Sequence, residues 1–171
     1  MNATLTREVF GIFVSIYGLA MINAAPLPLG TRETLAEFET GAKRATRCAG
    51  DYAVGSAKEI SRFQILPSVW REYSDAPNYH NPNAAWIVTR KILLDREADF
   101  RRATGRQWDV VDLYLMWNAP GVYRRSGWDR SKVSRIVLER AQRFESLMQE
   151  RQRQRIELAT QSKGQDIVRN W

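Results

Sequence analysis

The 171 residues contain one cysteine, Cys48, and one histidine, His80. A single thiol forms no internal disulfide, so stability must come from a packed core. The same shortage argues against a zinc site built from Cys and His ligands, and no metal or cofactor is expected. A Cys–His nucleophile pair would have to use His80 as its base. That residue is remote in sequence, in the polar Asn/Pro-rich stretch 78–82. No glycine-rich phosphate loop occurs, and there is no internal repeat. No Lys/Arg-only run of the kind that marks a nucleic-acid tail is present either. With 26 Lys and Arg against 19 Asp and Glu the net charge is +7. That field favours polyanions in general, but the basic residues are interleaved with acids, as on an ordinary solvated surface. Nucleic acid is not expected as a partner.

Long apolar runs are also scarce. The stretch Val9–Ala20 follows Arg7 and Glu8 and precedes Ala24-Ala25-Pro26. It is short for a bilayer span of about 20 residues. A charged start, an apolar segment and small residues before a proline predict a secretory signal peptide over residues 1–24. The protein is then exported, to the periplasm or the extracellular space; if the segment is not cleaved, it is a membrane tether. Residues 25–30 form a linker.

Among the residues present, 44% are hydrophobic and 11% aromatic, enough for one packed domain of ordinary size. Thr31 offers a helix-capping hydroxyl, and Thr31–Thr40 reads as a short helix ended by Gly41. Residues 42–57 suit a loop or a small irregular β element. Pro67 is placed to start a helix. Asn83 is expected to cap a helix carrying Ala85, Val88, Ile92 and Phe100, with Gly105 terminating it. Asp109 caps the strongly apolar 110–117, the expected central helix, which Asn118-Ala119-Pro120-Gly121 breaks. Val133, Ile136, Val137, Arg140, Phe144, Leu147 and Met148 then fall at helical spacing. Beyond Gln149 that face turns polar, so 151–171 is expected to be a polar helix extension or a tail. The fold class is mainly α: several short helices around a central one.

Three islands stand in order: Phe38-Glu39-Thr40-Gly41, Ser61-Arg62-Phe63-Gln64-Ile65-Leu66-Pro67, and Leu115-Met116-Trp117-Asn118-Ala119-Pro120-Gly121. This order resembles the lytic transglycosylase family and its goose-type lysozyme relatives, over about Leu35 to Tyr123. There a Glu-Ser-Gly ends a helix, a Gly-x-x-Gln-Ile/Leu-x-Pro segment follows, and a later helix ends in Tyr-Asn-Ala-Gly. The resemblance implies a lysozyme-like domain over 31–150 that cleaves the glycan strands of peptidoglycan. It implies Glu39 as the catalytic acid, with Gln64, Trp117 and Asn118 along the substrate. Thr40, Ser61, Trp117 and Pro120 depart from the family pattern of Ser, Gly, Tyr and Gly. Losing the tyrosine removes a hydroxyl that orients the acid or the sugar.

Elementary chemistry bears on these residues separately. Glycosidic cleavage needs a carboxylic acid that keeps its proton near neutral pH, and burial beside apolar groups such as Phe38 raises a Glu pKa. The alternative for Glu39 is a solvated acid at a helix end, where the helix dipole disfavours it. Glu37 points to another side of the same helix. Glu59 and Asp51 are the candidates for a second carboxylate, which water-activating hydrolysis needs and anhydro-sugar formation does not; a surface salt bridge is the other reading of Glu59. Gln64 is either a cleft residue or a satisfied core amide, and Asn118 also suits a helix cap. A non-catalytic glycan- or protein-binding module of the same fold is the competing function, and a basic nucleic-acid-binding protein is a third reading that export of the chain would disfavour.

Overall fold

The computed structural model describes residues 26–169; the expected signal peptide, residues 1–24, lies outside them. Among the described residues six α-helices carry the chain: α1 (Thr31–Thr40), α2 (Pro67–Tyr73), α3 (Pro82–Thr104), α4 (Val110–Asn118), α5 (Pro120–Arg125) and α6 (Arg135–Arg169). Short 3-10 turns occupy Ala49–Tyr52 and Arg130–Lys132. The fold is mainly α. Of the two alternatives for 42–57, the loop, with one 3-10 turn, is the one that forms. The β pairing among the described residues is a single antiparallel bridge, Ile60 with Ile65, just downstream. No helix among them is long and apolar enough to cross a membrane.

Helix α4 is central because its sequence offers little to water. Val111 to Trp117 are all buried. It packs most extensively against α6 and also meets α3 and α5, while α1 lies on α6 and α2 on α3. Leu35, Ile92, Leu93, Phe100, Leu113, Leu115, Met116, Phe144 and Met148 form the shared core. Full burial of one such side chain stabilises by about 1.5–3 kcal/mol. Asp109 starts α4 with a capping box: its Oδ1 accepts from Asp112 N at 3.0 Å while Asp112 Oδ2 accepts from Asp109 N at 3.2 Å.

Several local expectations are corrected. Thr31 does not cap α1; Gly30, at φ 92°, occupies that position, and the Thr31 hydroxyl donates to Pro28 O at 2.7 Å. Asn81, not Asn83, caps α3, its Oδ1 accepting from Asn83 N at 2.9 Å and Ala84 N at 3.1 Å. Pro82 then fills the first helical position, where no N–H is needed. Ile136 is 77% exposed. Val133 precedes α6, whose inner face is Val137, Ala141, Phe144 and Met148. The polar end of α6 takes the helix-extension alternative rather than the tail, and Arg151 and Arg155 pair with Glu37 and Glu33 of α1.

Candidate active site

Glu39 is the next-to-last residue of α1, before the left-handed Gly41 (φ 71°) that ends the helix. Its side chain is 6% exposed. Tyr114, from the middle of α4, donates its hydroxyl to Glu39 Oε1 at 2.6 Å. Arg140 of α6 donates through Nε to the Tyr114 hydroxyl at 2.7 Å and through Nη2 to Glu39 Oε2 at 3.1 Å. Phe38 and Phe144 enclose the group, with ring centroids 5.1 and 4.7 Å from that of Tyr114. Burial raises the Glu39 pKa above the usual carboxylate value. The Tyr114 hydrogen bond and the Arg140 charge oppose that shift without cancelling it. Burial and the Glu39 charge likewise push the Tyr114 phenol up, so it remains a donor.

Tyr114, which bonds Glu39, lies one helical turn before Trp117 on α4. Thr40 keeps the hydroxyl of a serine. It lies 3.0 Å from Ala36 O and 3.1 Å from Arg62 O, and its single proton serves one carbonyl at a time.

A cleft of about 140 Å³ opens beside Glu39 and is lined by Glu59, Gln64, Trp117, Asn118, Arg96 and Pro120, among others. Five of the residues singled out in the sequence thus share one wall system: Glu39, Glu59, Gln64, Trp117 and Asn118. Asp51 stands apart. It is fully buried, accepts from Arg62 Nε at 2.6 Å and Nη2 at 2.8 Å, and does not line the cleft. The reason is local: Arg62 is itself buried and needs a counter-charge, which Asp51 supplies.

The segment 58–65 shapes the cleft floor. Ile60 and Ile65 exchange backbone hydrogen bonds of 2.8 and 2.9 Å. Lys58, Ser61 and Gln64 all adopt left-handed backbone, at φ 64°, 67° and 54°. Ser61 holds a positive φ of the kind that glycine adopts without strain. Arg62 and Phe63, buried, anchor the loop. Gln64 Nε2 donates to Ala53 O (3.2 Å) and Ser61 O (3.1 Å), so the amide is both satisfied and a cleft residue. A Cβ at Gly55 would come within 2.2 Å of Glu59 Oε2 and 2.4 Å of Gln64 Oε1, so a larger residue there would displace those two side-chain ends.

Trp117 is buried under the guanidinium of Arg96, 5.6 Å from the ring centroid. Asn118 ends α4 and is exposed at the cleft; the cap position belongs to Ala119. Among the described residues no group of three or more His, Cys, Asp and Glu is placed to hold a metal ion.

Sequence reasoning missed Tyr114, Arg140 and Arg96. Two of them carried a signal. A tyrosine within the most apolar helix needs a partner for its hydroxyl. Arg140, a charge inside an apolar stripe, needs an acid.

Compared with family models, curated proteins and solved structures, the chain gives no match.

Proposed function

We propose that the protein cleaves the glycan strands of peptidoglycan, as a lytic transglycosylase or muramidase, with Glu39 as general acid. One observation carries this reading. Glu39 is a nearly inaccessible carboxyl with a raised pKa at the edge of a cleft whose other lining residues include Glu59, Gln64, Trp117 and Asn118. A raised pKa keeps the proton available for the leaving glycosidic oxygen. Tyr114 and Arg140 take one lone pair on each carboxyl oxygen and fix the orientation of the group. Glu59, across the same cleft, is the residue that would activate water in a hydrolytic route; in the anhydro-forming route the sugar's own hydroxyl attacks. The N-terminal segment would deliver the protein to the wall.

The test is Glu39→Gln, which keeps size and removes the proton. Release of soluble fragments from purified peptidoglycan should fall by about 10²–10⁴-fold or more with glycan binding retained. Wild-type cleavage should decline as pH rises through the Glu39 pKa, because the acid form is the active one. Mass spectra of the products separate anhydro ends from hydrolysed ends. A Glu39→Gln protein that cleaves as well as wild type removes Glu39 from the mechanism.

A second reading has its own observation. Arg140 Nη2 at 3.1 Å from Glu39 Oε2 favours the carboxylate, which cannot donate. A domain that binds glycan without cutting it would tolerate that ion pair, and it would bind peptidoglycan yet release no fragments.

A further inference from the structure

Arg96 is charged, largely out of water and without an acid of its own. It rises from α3 into the lining of the cleft, and Nη1 donates to Met116 O at 2.8 Å and Trp117 O at 3.0 Å. These carbonyls belong to the last turn of α4, the negative end of that helix. Among the described residues no carboxylate oxygen lies within 4.0 Å of its guanidinium. Burial depresses its pKa, with Glu72 and the Tyr73 phenol opposing and Arg124 adding to the depression. Of the acids around it, Asp99 pairs with Arg102 and Arg124, and Asp95 is exposed. Glu72 is exposed. A guanidinium has five donors, and among the described residues only those on Nη1 of Arg96 find an acceptor.

Arg96 also stands where two depressions meet. Val69, Arg96 and Pro120 line both the Glu39 cleft and a second groove that continues past Gly121 to Arg124. A ligand lying along Glu39, Gln64 and Trp117 would therefore present one side to Arg96. Leaving a mostly buried cation without a counter-ion is unfavourable, and an incoming anion would relieve it through a planar, two-pronged contact.

We infer that Arg96 is a specificity-determining residue that receives a carboxylate carried on the glycan. The inference rests on the glycan-binding reading of the cleft, though not on cleavage. The carboxylate has two chemical sources: an acid ether on the sugar itself, or the free acid of a peptide attached to it. Either would seat the sugar chain in one register relative to Glu39.

Calorimetric titration of the full-length protein tests this with four probes: N-acetylmuramic acid, its methyl ester, N-acetylmuramyl dipeptide, and neutral N-acetylglucosamine tetramer. On wild type the acid should bind at least about tenfold more tightly than its ester, in which a methyl group replaces the charge. If the anion sits on the peptide, the dipeptide shows the preference instead and the sugar acid matches its ester. Arg96→Gln should abolish whichever preference exists. Arg96→Lys should keep part of it, because charge remains and the planar fork is lost. Arg102→Gln, on the exposed side of α3, should change nothing.

Arg96 also binds two carbonyls of α4, so melting temperatures of each variant are read first. If the Gln variant does not fold, the acid–ester comparison on wild type and the Lys variant decide. Equal affinity for charged and uncharged probes, binding of none of them, or a preference that survives Arg96→Gln overturns the inference. A charge preference without any wall cleavage leaves it standing and removes the catalytic reading; cleavage without a charge preference does the reverse.

Discussion

Two buried carboxyls touch α4 within a few residues of each other, and their surroundings send them opposite ways. Asp112 is fully buried, and burial alone would raise its pKa. Against that, it accepts from Arg106 Nη1 at 2.7 Å, Arg130 Nε at 2.9 Å and the Tyr123 hydroxyl, and the Arg130 charge adds to these. The result holds the carboxyl down at about 2. Glu39 has the same kinds of partner in smaller number, one tyrosine and one arginine. There burial prevails and the pKa rises. Counting partners separates the roles: a carboxyl neutralised twice over ties α4 to the segments on either side of it, whereas one neutralised once is left able to hold a proton beside a cleft.

The contrast is broken most severely at Asp112. Asp112→Asn leaves Arg106 and Arg130 facing a neutral amide, and losing one member of a buried ion pair costs about 3–5 kcal/mol. Both arginines are partly exposed, so the expected loss is near the lower end, about 3 kcal/mol. Glu39→Gln should stay within about 1 kcal/mol of wild type, since it removes a charge that burial already penalises. Chemical denaturation at neutral pH compares the two.

Acid titration sharpens the same comparison. The Asp112 pKa is depressed, so its stabilisation is complete above the ordinary Asp value and is lost as pH falls from about 4 through about 2. That loss amounts to about 2 kcal/mol. The Glu39 pKa is raised, so its contribution is largest below the ordinary Glu value and is lost as pH rises through its folded pKa. Asp112→Asn should therefore show a shallower fall in stability between pH 4 and 2 than wild type. Parallel curves would mean that the Arg106–Asp112–Arg130 network does not govern acid unfolding.

What could be read from the sequence divides along similar lines. The end of α1 at Gly41, the start of α2 at Pro67 and the start of α4 at Asp109 were legible because glycine, proline and a capping aspartate act on their immediate neighbours. The grouping of Glu39, Gln64, Trp117 and Asn118 at one cleft was legible only through the order of three short motifs. Tyr114 and Arg140 were not, because they meet Glu39 across 75 and 101 residues of chain, and no local rule selects a partner at that distance. The pairing of Asp51 with Arg62, 11 residues on, was not read from the sequence either. The polar end of α6 looked detachable because its anchors are charges on α1 rather than apolar residues of its own.

Those anchors give a smaller effect. Arg151 and Glu37 are both mostly covered, at 22% and 18% exposure, and pair across the α1–α6 interface. Arg151→Ala should cost about 1 kcal/mol, the upper part of the range for partly exposed pairs, and the cost should shrink in high salt. Thermal melts at low and high ionic strength read both. No change at either would mean that the end of α6 contributes nothing to holding α1, and so nothing to the placement of Glu39.

The smallest expected effect lies on the cleft floor, where Lys58, Ser61 and Gln64 are held in left-handed backbone. Each non-glycine residue in that conformation costs roughly 1–2 kcal/mol, and strain of this kind persists only where surrounding structure enforces it. Ser61 and Gln64 are unsuitable probes, because their side chains accept from Phe63 N and donate to Ala53 O respectively. Lys58 is exposed, and its side chain takes no part in the cleft. Lys58→Gly removes the strain but loosens the unfolded chain by about 0.4–1 kcal/mol, so a net gain of roughly 0.5–1 kcal/mol is expected. Equilibrium denaturation measures it. A gain in stability with unchanged glycan affinity would show that the left-handed backbone at 58 is enforced by the closure of the loop, through Gly55 N to Glu59 O and Ile60 to Ile65, rather than by the lysine itself. A loss would show that the lysine stem supports the loop, and the strain argument at this position would fail.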